Sequence, residues 1–229
     1  MTVNILTFNN LPILEQLFLE EGLLKTSQEN YVIINIGSPK AIIMGISSKP
    51  NEVVNLELTS RDLIPIIQRF TGGGTVIVDH NTLFVTLIFQ KSAHDFDLLP
   101  PSILNWAGKV LKSALKLTDF AILGNDFTLN QKKIGGNAQY IKKDRFLHHT
   151  SFLYDFTPSN MNYLLHPPKE PSYRQGRHHL DFITSLAPYL SKDEFKERIV
   201  NYFSTFYKAN INNSITQIAS HRKATQLIL

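Results

Sequence analysis

The chain has no cysteine. That excludes disulfides, thiolate metal sites and any reaction passing through a thioester on this polypeptide. Long apolar runs are missing too: none approaches the roughly 18 residues of a membrane-spanning helix. The start, Met1-Thr2-Val3-Asn4, lacks the basic region and cleavage site of a secretory leader, so a soluble cytoplasmic protein with no membrane partner is expected. Charge of one sign is scarce. The net charge is +4, with 23 Lys and Arg interspersed among 19 Asp and Glu, and no basic block points to nucleic acid. Such a surface would instead steer in an acidic protein partner. Neither Gly-x-x-x-x-Gly-Lys-Ser/Thr nor Gly-x-Gly-x-x-Gly occurs, so a bound nucleotide would need another cradle. His-Glu-x-x-His and the Gly-x-Ser-x-Gly elbow are also absent.

What is present first is Arg69-Phe70-Thr71-Gly72-Gly73-Gly74-Thr75-Val76-Ile77-Val78-Asp79. Three glycines before a β-branched run weaken a strand, so they suggest a loop with unusual dihedrals or a ligand close to the backbone. Arg69 adds a planar fork of donors suited to carboxylate or phosphate. The loop is expected to hold an anionic small molecule; a hairpin turn with spare glycines is the alternative. A second stretch, Gly124 to Ala138, carries Asn125-Asp126, then Lys132-Lys133-Ile134-Gly135-Gly136. In a hairpin Asp126 and Lys133 approach one pocket, with Lys132 on the opposite face. Lys133 is either a charge that follows negative charge developing on a substrate or a solvated edge-strand lysine. His148-His149 and His178-His179 are adjacent pairs whose members face opposite ways on a strand, so neither chelates a metal by itself.

The 229 residues, 43% of them hydrophobic, suffice for one large domain over 1–229. Spacing predicts a strand at 3–8, an amphipathic helix at 12–24 with Gln16, Glu20 and Glu21 among its polar positions, and a hairpin of strands 31–36 and 41–46. A helix over 63–70 would deliver Arg69 to the glycine loop, and strands 75–78 and 83–89 would pair about the turn at 79–82. Pro100-Pro101 opens a helix with Trp106 in its core face. Strands follow at 126–130, 133–141 and 146–154. Pro158, Pro167, Pro168 and Pro171 then suggest a lobe boundary. From about 184 the chain reads as helical: Ser191 and Glu194 form a capping box ahead of Phe195, Ile199, Phe203 and Phe206, and a last helix runs from Ile215.

Taken together, the motifs resemble the lipoate-protein ligase A family of the biotin/lipoate ligase superfamily. Arg69 to Val76 resembles Arg-Arg-x-Ser-Gly-Gly-Gly-x-Val, and the segments around Asn125-Asp126, Lys132 to Ala138 and His148 to Leu153 resemble that family's later motifs in the same order. The resemblance implies an α+β, mixed α/β catalytic domain of mostly antiparallel and mixed sheets flanked by helices. It also implies a short form without the extra C-terminal domain of longer ligases. Lipoate or octanoate would react with ATP and magnesium to give an acyl-adenylate, and the acyl group would pass to a lysine of a lipoyl domain. The implied acceptors are 2-oxoacid dehydrogenase E2 subunits or the glycine cleavage H protein, an accessory ligase domain is an implied partner, and no tightly bound cofactor is expected. On the resemblance Lys133 is catalytic. Arg69, Thr71, Gly72, Gly73, Gly74, Thr75, Asp79, Asn125, Asp126, Gly135, Gly136, Ala138 and His149 surround substrate and adenylate, Asp126 near the magnesium. Gln68 departs from the motif's first arginine, Val78 from a frequent histidine with His80 nearby, and Gly135 from serine. A biotin ligase is disfavoured by the missing Gly-Arg-Gly-Arg loop. A binding module that keeps the pocket without turnover is the rival of another class.

Overall fold

β-Branched runs broken by Gly, Pro and Asn turns supply most of the elements. The computed structural model describes residues 1–166, 170–212 and 219–229. β1 (Thr2–Asn9) leads through α1 (Ile13–Thr26) into β2 (Tyr31–Ile36) and β3 (Ala41–Met44); two short helices follow, α2 (Pro50–Val53) and α3 (Leu56–Arg61). β4 (Ile66–Gln68), β5 (Val76–Val78) and β6 (Thr82–Gln90) precede α4 (Pro100–Leu115). The meander β7 (Phe120–Leu123), β8 (Asp126–Leu129), β9 (Lys132–Ile141) and β10 (Arg145–Leu153) comes next, then α5 (His179–Phe182), α6 (Lys192–Phe206), β11 (Lys208–Asn212) and β12 (Gln226–Leu227).

The strands form an eight-stranded sheet, β11-β1-β2-β6-β10-β9-β8-β7, and a four-stranded sheet, β12-β4-β3-β5. β11, β1 and β2 run parallel, and the rest of the large sheet is antiparallel. One face of the large sheet buries Val32, Val85, Phe89, Phe127, Ile134 and Phe146 against α4 and α6. Its other face packs Ile33, Phe84, Ile88 and Leu147 on α1, which also touches the small sheet through Ile43, Ile67 and Phe70. The outer face of the small sheet is covered by Val53, Val54, Met161 and Leu164. No helix among the described residues is long and apolar enough to cross a membrane.

The predicted α4 is observed, opened by Pro100 and closed by Lys116 in the left-handed region (φ 56°). Trp106 sits in an aromatic cluster with Phe89, His94 and Phe146. The capping box of α6 is present, but Phe206 is exposed. Four expectations fail. β2 and β3 do not pair; the Gly37 turn is a corner between sheets, β2 joining β1 and β6 while β3 joins β4 and β5. β5 and β6 likewise part into different sheets at Asp79 to Asn81. In place of a helix over 63–70, α3 ends earlier, Leu63 takes φ 52° and β4 runs parallel to β3; nonlocal pairing overrides the local pattern. The helix expected from Ile215 is not formed by the described part, 219–229, which is irregular before β12; 215–218 lie outside the described residues.

α1 also departs from its pattern. Gln16, Glu20 and Glu21 are fully buried, because the helix is sandwiched between two sheets and its polar positions other than the exposed Glu15 and the half-buried end at Lys25 and Thr26 are covered. Nor does the chain open into a new lobe after Thr157. Met161 to Leu164 pack on the small sheet, and Thr184 donates its N–H to the Lys133 carbonyl at 2.9 Å; Pro167 and Pro168 lie outside the described residues.

Candidate functional site

The Lys133 side of the site is made by a change of register. Asp126 pairs with Gly136 and Phe127 with Gly135, yet Thr128 already pairs with Lys133, leaving Ile134 as the extra residue of a β-bulge. Residues three apart on a regular strand face opposite ways; the bulge puts Lys133 and Gly136 on one face with Asp126. The Lys133 ammonium lies 2.8 Å from Asp126 Oδ1. A Cβ on Gly136 would stand 3.3 Å from that nitrogen, so the glycine leaves the lysine room to lie along the strand. Lys132 is exposed on the other side, as alternation predicts.

Asp126 has a second partner, the Tyr173 hydroxyl, which donates to Oδ2 at 2.9 Å. Burial and then the Asp126 charge raise the Tyr173 pKa, keeping the phenol protonated. Both carboxylate oxygens are thus engaged, and no cluster of three metal-ligating side chains exists among the described residues.

Above the same sheet face hangs the glycine loop, between β4 and β5 at the edge of the small sheet. Arg69 braces it: Nε donates to Thr71 Oγ1 at 2.8 Å, and Nη2 to the carbonyls of Gly72 at 2.7 Å and Gly74 at 2.9 Å. Arg69 is 5% exposed; burial lowers the pKa of its guanidinium to about 10, against the opposing influence of Glu20. Arg69 is therefore the loop's scaffold, where the sequence suggested an anion ligand. Gly73 adopts φ 103°, which favours glycine, and the loop there rests on Asn137 and Ala138 of β9. Gly45 is fixed by close approach, since a Cβ there would sit 2.3 Å from the Gly73 carbonyl oxygen.

Gly72 and Gly74 differ. Nothing lies within 4 Å of a Cβ built on either, and neither has a left-handed φ. No protein neighbour demands glycine at these exposed positions. Beside them the Thr75 hydroxyl is buried without a hydrogen-bond partner among the described contacts. Open glycines next to an orphaned polar atom suit a ligand lying across the loop.

The loop is tied to the large sheet through a buried relay. His149 Nε2 meets Thr71 Oγ1 at 3.2 Å and its Nδ1 meets Glu20 Oε2 at 2.7 Å; Glu20 Oε1 accepts from Thr86 at 2.6 Å and Gln16 at 2.8 Å. One tautomer satisfies every partner: Nδ1–H donates to Glu20, and Nε2 accepts from Thr71. His148 points the other way, between Gln139 and Thr150, and burial followed by His149 depresses its pKa to about 3.

The remaining sequence-predicted residues sort by contact. Gly136 and Ala138 share the Lys133 face, whereas a Cβ on Gly135 would press on Thr150 and Phe152, so Gly135 belongs to core packing. Asn125 is exposed at the rim, its carbonyl accepting from Asn137. Asp79 lies at the far end of β5, accepting from Asn81 N–H and Asn160 Nδ2, apart from the cluster. Gln68 staples β4 to the Ile46 carbonyl and to Gln226, Val78 is buried, and His80 is exposed. Tyr173, remote from the main motifs, was marked in the sequence only by a weak resemblance of Tyr173-Arg174 with Arg177 to the same family, and for Glu20 its i,i+4 partner Gln16 was the available signal.

The family model described as lipoyl protein ligase A/B catalytic domain matches residues 12–204. A protein described as inactive lipoate–protein ligase 2, from Plasmodium falciparum (isolate 3D7), is 28% identical over 83% of this chain and 66% of its own length. The chain spans less than two thirds of the length of the curated relatives it matches. Among solved structures, lipoate-protein ligase A bound with ATP aligns with TM-score 0.74 and 19% identity, covering 95% of this chain and 90% of that one. The structure of a bi-partite lipoate protein ligase and its E2 lipoyl domain from Thermoplasma acidophilum aligns with TM-score 0.75 and 18% identity, covering 94% of this chain and 87% of that one.

Proposed function

The chain belongs to the lipoyl protein ligase A/B catalytic-domain family, and on that premise we propose that it moves a lipoyl or octanoyl group from an acyl-adenylate to a lysine of a lipoyl domain. The observation that carries the proposal is the Lys133 ammonium, held on one sheet face with an arginine-braced loop whose Gly72 and Gly74 are uncovered.

Formation of the adenylate joins the acyl carboxylate oxygen to the α-phosphorus of ATP and expels pyrophosphate. In transfer, the acceptor amine attacks the acyl carbonyl, AMP leaves and the amine gives up a proton. Both steps build negative charge on oxygen, which a fixed ammonium and backbone N–H groups stabilise without reorganising. Lys133 is assigned to the carbonyl and phosphate oxygens, the glycine loop to the adenylate, and Arg69 to the shape of the loop. Magnesium is assigned as the counter-ion that arrives with ATP, since Asp126 already spends both oxygens on Lys133 and Tyr173. The adenylate route suits a chain without cysteine, and relatives solved with ATP or alongside an E2 lipoyl domain make the same substrates and acceptor the first to test.

A second assignment, acyl binding without turnover, draws on the relative described as inactive. Intact-mass analysis of an isolated lipoyl domain separates the two. Incubation with the protein, ATP, magnesium and lipoic acid is run beside a reaction supplied with synthetic lipoyl-adenylate. A lipoyl mass increase with ATP identifies a complete ligase. An increase with adenylate only assigns activation to another polypeptide, and no increase in either favours the binding module.

A further inference from the structure

The segment that follows the proline-rich stretch grips Lys133 from both ends. Its backbone is held from below, where Thr184 N–H donates to the Lys133 carbonyl at 2.9 Å and Ile183 bridges to Lys133 as a parallel partner. Its ammonium is held from above through Asp126, whose Oδ1 meets Nζ at 2.8 Å while Oδ2 accepts from Tyr173 at 2.9 Å. Tyr173 is itself seated: its ring lies 5.0 Å from that of Phe182, it touches the open side of Gly124, and Arg177 donates to its carbonyl at 2.6 Å.

We propose that Tyr173 is a positioning residue for Lys133, acting through the Asp126 carboxylate. A carboxylate held by one partner rotates about its Cβ–Cγ bond and can take the ammonium's hydrogens in either orientation. Held by the Tyr173 hydroxyl, it presents Oδ1 alone to Nζ. The ammonium then keeps one N–H on Asp126 and has its other two for substrate oxygens, their directions following from the one that is held. Without Tyr173 the carboxylate is free to engage more of the ammonium, and the charge is lost to the substrate though no atom of Tyr173 touches it.

This inference rests on the ligase assignment for its kinetic test, so a second readout is independent of turnover. In the kinetic arm, Tyr173→Phe keeps the ring on Phe182 and removes only the hydroxyl. Acyl transfer from preformed lipoyl-adenylate is expected to fall about tenfold in kcat with KM unchanged within about twofold. In the Asp126→Asn background the same change is expected to cost less than about twofold, because the carboxylate it acts through is gone. A loss expressed in KM, or an equal loss in both backgrounds, would overturn the proposal. The second arm is competitive acetylation with limiting acetic anhydride at one fixed pH, read by peptide mass with Lys132 as internal reference. Lys133 of Tyr173→Phe is expected to change its reactivity at least threefold relative to wild type, and Lys132 to stay constant. Unchanged Lys133 labelling sinks the proposal whatever the enzyme transfers. A wild-type protein inactive in every transfer assay, but with the labelling change intact, removes the ligase assignment and leaves the Tyr173 coupling standing. Thermal unfolding of the variants confirms that the folded state is being compared.

Discussion

Gly74→Ala is the perturbation that most directly asks whether a ligand crosses the glycine loop. A methyl group at this position meets nothing within 4 Å, and the backbone is outside the left-handed region. Such a substitution restricts the unfolded chain more than it strains the folded one, so stability should be unchanged or raised by ~0.4–1 kcal/mol. The same methyl would stand in the space assigned to the adenylate. Forcing an extra methyl into a packed contact costs roughly 1–3 kcal/mol, equivalent to roughly 5- to 150-fold in Kd. Titration calorimetry with a non-hydrolysable sulfamoyl analogue of lipoyl-adenylate measures this loss, and thermal unfolding measures stability on the same sample. Affinity within twofold of wild type in a stable variant refutes the placement of ligand over Gly74. A clear loss of stability refutes the premise that the loop is open there, because some protein atom would then be resisting the methyl.

Lys133→Ala should abolish acyl transfer in the intact-mass assay at a cost to stability below ~1 kcal/mol, since its pair with Asp126 is partly solvated; near-wild-type transfer removes Lys133 from its role. Gly136→Ala places a Cβ 3.3 Å from the Lys133 nitrogen, and displacing that charge by a few tenths of an ångström should lower kcat roughly tenfold with little change in melting temperature; stopped kinetics beside a melt decide it. Gly45→Ala should instead destabilise, because its Cβ would meet the Gly73 carbonyl oxygen at 2.3 Å, backbone against backbone, and the melting temperature should fall together with affinity for the analogue. Glu21 anchors the 219–229 segment by accepting from the N–H groups of Ala224 at 2.7 Å and Thr225 at 3.0 Å. Burial alone would raise its pKa, but Lys25 and these amides outweigh it and the carboxyl lies below its ordinary 4.5. A depressed carboxyl contributes stability that is present above pH 4.5 and lost as pH falls through the lower folded value. Unfolding followed against pH should therefore show a steeper acid loss in wild type than in Glu21→Gln, and parallel curves would exclude the anchor.

Local order was the legible part of this fold. α4 announced itself by Pro100-Pro101 and by Ile103, Ala107, Val110 and Leu111 on one face, and β8, β9 and β10 by turns at Asn130-Gln131 and Lys142 to Asp144, because each signal involves neighbours in sequence. The errors cluster where the partner is distant. Ile64 to Phe70 has enough apolar residues for a helix, yet β4 is fixed by β3 on one side and β12 on the other, and β12 is more than 150 positions away in the chain. Corners fail for the same reason: Gly37 to Lys40 and Asp79 to Asn81 carry ordinary turn residues, and nothing local states that the strand beyond has changed sheets. In α1, Gln16, Glu20 and Glu21 read as a wet face because their partners, Asn35, His149, Thr86 and the segment at Thr225, come from elsewhere in the chain.

At the site, residue types were legible and their geometry was not. That Lys133 approaches Asp126 followed from a hairpin, but strict alternation would have set Lys133 and Gly136 on opposite faces, and the side chain beside Gly136 would have been Ile134. The bulge at Ile134 exchanges the two, sending the isoleucine into the core with Phe127 and the lysine to the open face. A bulge is stable only if the displaced residue gains by its new side, and here an apolar residue is buried while a charge is released from the core. The neighbours permit it: Gly135 fits tightly under Thr150 and Phe152, and Gly136 yields to the lysine stem. The two glycines after the lysine thus do different work, one admitting the core and the other admitting the charge. The motif is accordingly a statement about strand parity as much as about chemistry: deleting Ile134 would leave Lys133 paired with Thr128 and still on the face of Asp126, whereas a residue inserted between Phe127 and Thr128 should pair with Ile134, abolish the bulge and turn Lys133 to the face opposite Asp126, even though every residue assigned to the reaction would remain in the chain.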